Sequence, residues 1–446
     1  MSTGGDFAEV FVENNSNNTI SLVNGVVEEA VSGVDYGAGI RIFNGYSAIY
    51  AYTNDTSRES LIKTALSAAK AIRSTNGVKS VSGLSRFNYP PVHTWRLLPQ
   101  DVQKKQIVSM VRQAHDSAKS QSGLITETAA AYRDSVQDVL IVNTDGLWVE
   151  DRRVRTRSSF KAVASDGSEK QIASFGPGSL SGFEFYDNID FNELGSKAAR
   201  IAVTMLQAGF CPSGKMPVVL DNGFGGVILH EACVHGLEAT SVAKKSSVFS
   251  DKLGQKIASD IVTAVDDGTM PNEWGSLNID DEGTPTRRNV LIENGVLKSF
   301  LVDRLNGLKM GTPSTGSARR ESYRYAPTSR MTNTFIVNGN DKQSDIFSDT
   351  EYGLYAKKMG GGSVSPAMGE FNFAVTEGYI IRNGKIAEPV RGATLIGKGY
   401  EVLLNIDKVS NNFAQEQGLC GSESGSVPTN VGQPMIRVKE LTVGGR

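Results

Sequence analysis

Leu229-His230-Glu231-Ala232-Cys233-Val234-His235-Gly236 holds two of the four histidines in the chain, bracketing a glutamate. Two imidazoles and a carboxylate within a turn and a half of helix are the raw material of a zinc hydrolase. The spacing is H-E-x-x-x-H, one residue longer than the common zinc-protease form. On a regular α-helix each residue advances about 100°, so histidines four apart differ by about 40° and can share an ion. Five apart, they differ by about 140° and aim to opposite sides. The rings converge only if the helix is irregular. Either a π-bulge inserts the extra residue, or the helix ends within the motif and His235 lies on its final turn, with Gly236 just beyond.

Outward from the motif, a helix is expected over 227–239, after a strand over 217–221 and a loop at Asn222-Gly223-Phe224-Gly225-Gly226. Short strands follow, punctuated by Asn294-Gly295, Asn338-Gly339 and Asn383-Gly384, the dipeptide that suits tight hairpins. Upstream, Phe210-Cys211-Pro212-Ser213-Gly214 breaks the pattern and is read as a domain boundary. The part before it mixes strands with three helices. Strands are expected over 8–13 and 19–23 around a turn at 14–18, then after Asn24-Gly25, over 39–43, 48–52, 140–143 and 154–164. Helices are expected over 57–74, 100–119 and 191–208, each with apolar residues on one face. The fold class is therefore α+β: an N-terminal α/β region (1–210) with mixed sheet and helices, and a C-terminal antiparallel β-rich domain (211–446) carrying the histidine helix.

At 446 residues the chain is long enough for two or three domains. A net charge of −2 gives no electrostatic argument for nucleic acid. Arg152, Arg153, Arg155 and Arg157 lack an interleaved aromatic platform and are read as a solvated strand face. No apolar run approaches the roughly 18 residues of a membrane helix, and the N-terminal residues show no secretory pattern. The expectation is a cytoplasmic protein with no membrane partner. Three cysteines do not make a disulfide framework.

A catalytic zinc takes three protein ligands and keeps one open position. His230 and His235 leave one ligand to find, by chemistry a cysteine or a carboxylate. Cys420 stands out, because the glycines of Gly418-Leu419-Cys420-Gly421 let backbone come close to a site. Cys233 and Cys211 are read as packing residues, and His93 and His115 as structural or exposed. Glu231 is then the general base, taking a proton from the attacking water and returning it to the leaving amine. The Asp-Gly and Glu-Gly pairs near Asp266, Asp267, Asp280, Asp281 and Glu282 read as turn chemistry rather than a second metal site. Arg319, Arg320 and Arg330 are candidates for a peptide carboxylate or an oxyanion, or for structural ion pairs. Gly176-Pro177-Gly178 and Gly360-Gly361-Gly362 do not open a helix in a βαβ unit and are weak as phosphate loops.

With these segments in place, the chain resembles the TldD/PmbA family, also called the modulator of DNA gyrase family, and its TldD branch in particular. The matching runs include His230-Glu231-Ala232 with His235-Gly236-Leu237-Glu238, Asp280-Asp281-Glu282-Gly283-Thr284-Pro285, Arg319-Arg320-Glu321-Ser322-Tyr323 and Arg330-Met331-Thr332-Asn333-Thr334. Gly418 with Cys420-Gly421, and Leu441-Thr442-Val443-Gly444-Gly445, continue the series. The resemblance is strong over 215–446 and weaker over 8–210. It implies a Zn2+ metallopeptidase with His230, His235 and Cys420 as metal ligands and Glu231 as catalytic acid/base. It further implies unfolded or extended peptides as substrates, in leader-peptide processing or peptide degradation. The implied assembly is a dimer, either with itself or with a PmbA/TldE-type subunit that lacks the metal motif. Departures from the family pattern are Ala239-Thr240 in place of Gly-Asp, Gly421 to Ser426 in place of Gly-Lys-x-Gly-Gln, with Ser422 and Ser426 at the altered positions, and a shorter N-terminal helix. Glycine-flanked strands suggest that substrate binds extended, adding a strand through its main chain. The rival reading is a non-catalytic regulatory subunit, against which the intact motif argues. No Gly-x-Ser-x-Gly elbow supports a serine hydrolase.

Overall fold

Asn24 and Gly25 both take positive φ, 48° and 77°, as a two-residue turn matched to strand twist requires. They join β1 (Phe7–Val23) to β2 (Val26–Asn44) in one long antiparallel hairpin. The computed structural model describes residues 4–72, 81–365 and 369–445. Next along the chain come β3 (Ser47–Thr53), α1 (Arg58–Lys70), β4 (Ser85–Phe87), α2 (Lys104–Gln121), β5 (Ile125–Asn143) and β6 (Leu147–Ser165). β7 (Lys170–Phe175), β8 (Gly178–Ser179) and α3 (Phe191–Gln207) complete this part. The strands form one sheet in the order β3-β2-β1-β5-β6-β4, with β7 and β8 also on β6. β4 runs parallel to β6 and makes the sheet mixed. α3 begins where the Asp190 carboxylate accepts the Asn192 and Glu193 amides, an N-cap. Ile107, Val111 and Ala114 of α2 and Ala198, Ala202 and Met205 of α3 share a core with Tyr132, Phe160 and Ala162 of the sheet.

Two expectations are corrected here. Residues 14–18 are not a turn but lie inside β1. β1 has partners on both sides, with Asn18 opposite Ser32 of β2 and Asp134 of β5. Asn18 Nδ2 donates to Asp134 Oδ1 at 2.9 Å and Ser32 Oγ donates to Asn18 Oδ1 at 2.6 Å. Two ladders outweigh the local turn preference of asparagine. The arginines of β6 are not uniformly solvated either. Arg153 and Arg155 are buried, because the segment around 274–281 covers their face of the strand. Arg153 donates to Asp281 Oδ1 (2.7 Å) and the Ile279 carbonyl (3.1 Å), and Arg155 to the carbonyls of Trp274 and Ser276.

Beyond residue 210, Tyr352–Ser365, Gly214–Leu220, Ile436–Gly444, Thr394–Lys398 and Glu370–Arg382 pair in that order. Glu370–Arg382 also pairs back to Tyr352–Ser365, so the five strands close on themselves. A six-stranded sheet runs Val296–Leu297, Arg288–Glu293, Ala264–Asp267, Asn333–Ile336, Gly425–Gln433, Ala414–Ser422. Most pairings in these sheets are antiparallel, but not all. Gly214–Leu220 is parallel to Tyr352–Ser365, and Asn333–Ile336 to Gly425–Gln433. Each parallel pair is separated in sequence by a long excursion, the connection that parallel pairing needs. Asn294-Gly295 and Asn383-Gly384 form turns with positive φ. Asn338-Gly339 does not close a hairpin; the chain runs from there into the helix Gln343–Ser348. No helix among the described residues is long and apolar enough to cross a membrane, which says nothing about strands.

Candidate metal centre

The histidine motif lies on α4 (Val227–Ala232), and Val227, Ile228, Leu229 and Ala232 are buried in the largest core. Both ends of α4 abut backbone. A Cβ on Gly226 would come 2.5 Å from the Gly432 carbonyl oxygen, and one on Gly399 would come 2.0 Å from that of Ala232. Glycine at these two positions lets the helix seat between the Gly425–Gln433 strand and the segment at 399.

The α-helix does not continue over 227–239. Cys233 leaves helical geometry at φ −129°, ψ −60°. Its amide still reaches the Leu229 carbonyl (3.2 Å), while its own carbonyl accepts the Gly236 amide (2.9 Å), which starts a 3₁₀ turn over Val234–Leu237. There is no π-bulge here: the helix ends inside the motif, and the tighter turn turns His235 back toward His230. The break falls at Cys233 rather than after Gly236, and the Cys233 side chain sits in the core.

His230 Nε2 is 3.3 Å and His235 Nε2 is 3.4 Å from Cys420 Sγ. The three donor atoms all lie within 4.8 Å of one another. Cys420 comes from the Ala414–Ser422 strand, the edge of the six-stranded sheet. Around a tetrahedral zinc with ordinary Zn–N and Zn–S bonds, nitrogen and sulfur stand about 3.5 Å apart. Two imidazole nitrogens and a sulfur at this spacing fit such an ion. Glu231 Oε2 stands 3.5 Å from His235 Nε2. His230 and Cys420 are buried, and the Glu231 side chain, 28% exposed, marks the open side.

Electrostatics favour a thiolate. Burial raises the Cys420 pKa, but hydrogen bonds and charge from His230 and His235 outweigh it and bring the thiol down to about 4. Burial opposes charge on His235, but Glu238 and Cys420 hold its pKa well above the ordinary value. Cys233, by contrast, is pushed up to about 12 by burial alone, and Cys211 is buried with its thiol directed at the Pro212 carbonyl.

The surrounding sequence matches known proteins along its length. The PmbA/TldA metallopeptidase domain 1 matches residues 8–72, the central domain 97–206 and the C-terminal domain 213–445. This chain belongs to the TldD/PmbA metallopeptidase family. It is 35% identical over 449 residues to a metalloprotease TldD homolog of Buchnera aphidicola, covering 99% of this chain and 93% of the relative. A zinc metalloprotease TldD homolog of Saccharolobus solfataricus is 33% identical over 261 residues, 58% of each chain. Among solved structures, an inferred modulator of a DNA gyrase from Thermotoga maritima superposes with TM-score 0.82 at 22% identity, covering 98% of this chain and 96% of the other. TldE from Thermococcus kodakarensis does so with TM-score 0.77 at 19% identity, covering 99% and 97%.

In this family member, Glu238 escaped the reading of its chemistry from sequence, and Arg330, read there as a carboxylate or oxyanion ligand or a structural ion pair, has structural partners. Glu238, buried, brings Oε2 to 3.3 Å from His235 Nδ1. A carboxylate three residues after the second histidine was the available signal. Arg330, fully buried, donates to the Cys420 carbonyl, to Ser424 Oγ and to the Gly425 carbonyl, and its Nε lies 4.0 Å from Glu238 Oε1. It therefore links the carboxylate behind His235 to the strand that presents Cys420. Arg320 pairs with Glu9, and Arg319 bonds the Met331 and Pro428 carbonyls. The acidic residues have structural partners: Asp266 accepts from Thr332 and Thr334, Asp267 from Thr269, Asp280 from the Thr284 and Ala318 amides, Asp281 from Arg153, and Glu282 from Arg41. His115 Nδ1 is 2.6 Å from Thr128 Oγ1, and His93 is buried.

Proposed function

We propose that this chain is a zinc-dependent peptidase acting on unfolded or extended peptides, in leader-peptide processing or peptide degradation. The observation that carries the reading is the convergence of His230 and His235 with Cys420, 190 and 185 residues away in sequence, with Glu231 beside them. Two imidazoles and a thiolate would hold the ion. Bound zinc would supply Lewis acidity at the scissile carbonyl. Glu231, on the open side of the cluster, accepts a proton from the attacking water and returns it to the leaving amine. Glu238 keeps His235 in the tautomer with Nε2 free, by holding a proton on Nδ1. Membership of a metallopeptidase family and similarity to the zinc metalloprotease TldD homolog of S. solfataricus support both the metal and the reaction.

Extended binding is supported by the position of Cys420 on an edge strand, where main-chain hydrogen bonding gives broad side-chain tolerance. The Gly418 and Cys420 carbonyls already accept Trp274 Nε1 and Arg330, so a substrate strand must use other groups of that edge. A partner of the same fold, a second copy or a TldE-type chain, fits the similarity to TldE.

The test is metal analysis of the purified protein followed by cleavage of an unstructured peptide by the parent chain and Glu231→Gln. Bound zinc with a loss of about 100-fold or more in kcat for the variant is expected. Zinc with unchanged cleavage would remove Glu231 from the mechanism, and no metal uptake would favour a regulatory subunit.

A further inference from the structure

A cavity of about 450 Å³ opens beside the Cys420 strand, lined by Arg133, Arg153, Arg155, Arg157, Arg319 and Arg320 against three carboxylates, Asp134, Asp281 and Glu321. Leu419 lines it. Successive residues of a strand point to opposite faces, so the cavity and the metal cluster flank the same strand at neighbouring residues. The strand is fastened to the cavity wall by Arg157, which donates to the Gln417 carbonyl at 2.9 Å, and by Trp274, whose Nε1 donates to the Gly418 carbonyl at 2.8 Å.

The charges do not balance. Arg153 has Asp281 and Asp151, and Arg320 has Glu9. Arg155 and Arg319 are 6% and 2% exposed, and among the described residues neither has a carboxylate within ion-pair distance. Their hydrogen bonds go to main-chain carbonyls, those of Trp274 and Ser276 and those of Met331 and Pro428. Carbonyl oxygens solvate a guanidinium but do not neutralise it, and burying such a charge without a counter-charge is unfavourable. Burial, and then repulsion from Arg319 and Arg153, pushes the Arg155 pKa far down, outweighing the attraction of Asp281 and Asp151. His93 senses the same excess. It is buried with neither ring nitrogen bonded among the described residues, and burial with Arg155 and Arg153 pushes its pKa down to about 3.

We propose that this cavity binds the carboxylate of a peptide, with Arg155 and Arg319 as the guanidiniums that meet it. Planar guanidinium forks match a carboxylate. The volume is many times that of a small inorganic anion, taking water at about 30 Å³ as the yardstick, and Trp274, Leu277, Leu419 and Pro428 give apolar wall for the attached chain. The inference deepens the peptidase reading and rests on it for the identity of the ligand: one peptide reaches both faces of the Cys420 strand, its scissile bond at the cluster and its carboxylate in the cavity.

The experiment measures equilibrium binding to the full-length, metal-loaded protein carrying Glu231→Gln. The probes are a fluorescent pentapeptide with a free C-terminus, the same peptide amidated, and the amide with Asp at its last position. The free acid should bind at least about tenfold more tightly than the amide, the difference a charge-assisted hydrogen bond supplies. Arg155→Met and Arg319→Met should each erase that difference and leave the affinity of the amide unchanged. Recovery of affinity by the Asp amide would also support the site and show that a side-chain carboxylate serves. Equal binding of all three peptides overturns the inference, whether or not the variants fold. Displacement by inorganic phosphate without discrimination between acid and amide overturns it in favour of a phosphate site. Cleavage by the parent chain is scored separately. Cleavage without carboxylate preference sinks the cavity assignment alone, and carboxylate preference without cleavage sinks the peptidase reading alone.

Discussion

Glu238 is the residue on which the orientation of the cluster turns. It holds His235 from behind at 3.3 Å and is itself near the buried Arg330. An acceptor behind a ligating imidazole fixes its tautomer and raises its basicity, and losing one typically costs about 10–100-fold in metal affinity. Glu238→Ala should therefore weaken zinc binding by about that factor in competition with a chelating dye, with activity restored at saturating zinc. Glu238→Gln keeps a neutral acceptor and should lose less. If both variants bind zinc as tightly as the parent chain, the carboxylate has no part in holding His235.

At the scale of elements, the convergence of His230, His235 and Cys420 depends on a helix that stops at the right residue. α4 is wedged between backbone at Gly226 and at Gly399. Gly399→Ala places a methyl group against the Ala232 carbonyl, which is main chain and cannot rotate away. Overpacking of this kind costs about 1–3 kcal/mol, and because the strained group adjoins the break at Cys233, zinc affinity should fall along with Tm. Gly361→Ala, with open space around its Cβ, is the control and should leave zinc affinity as it is. An effect confined to Tm, with zinc affinity intact, would show that the helix end can shift without disturbing His235.

The same helix shows what sequence can and cannot carry. The spacing of His230 and His235 demanded an irregularity, because no regular helix converges them. It could not choose between a bulge and a stop, since the choice depends on where Cys233 packs and on glycines far along the chain. Asn24-Gly25, Asn294-Gly295 and Asn383-Gly384 were legible because their turn geometry is local. Asn338-Gly339 and residues 14–18 misled for the converse reason: neighbouring elements, not local preference, decide their conformation. Arg152 of β6 is exposed as expected, whereas Arg153 and Arg155 were misjudged because the cover at 274–281 is more than a hundred residues away. Cys420 could be singled out by its chemistry and flanking glycines, whereas Glu238, in plain view three residues after His235, carries no periodic or compositional mark.

At the scale of the whole molecule, buried charge joins the first sheet to the later part of the chain. Glu9 on β1 meets Arg41 and Arg320, and Arg41 meets Glu282. Glu13, on the same face two turns of the pleat further along β1, is different. Its carboxylate accepts the Tyr323 amide at 2.7 Å and Gln137 Nε2 at 3.2 Å but has no ion pair among the described residues. Burial raises its pKa to about 7 and the hydrogen bonds only partly oppose this. Because the folded pKa lies above the ordinary 4.5, the protonated form is the one the fold prefers. Below about pH 4.5 both folded and unfolded states hold the proton and Glu13 has no effect on stability. Between about 4.5 and 7 the unfolded chain releases it first, so stability falls by up to about 1.4 kcal/mol per pH unit. Above 7 the loss is constant, at most about 3.5 kcal/mol. Glu13→Gln never ionises, and it retains an acceptor for the Tyr323 amide. The stability of the variant relative to the parent chain, from urea unfolding, should rise from pH 4.5 to 7 and level off above it. Since Glu13 and Tyr323 lie 310 residues apart, that rise measures what ionisation does to the joint between the two regions. A difference between the chains that stays flat across this range would mean that the carboxylate is solvated in the folded state, and that the joint is looser than its burial suggests.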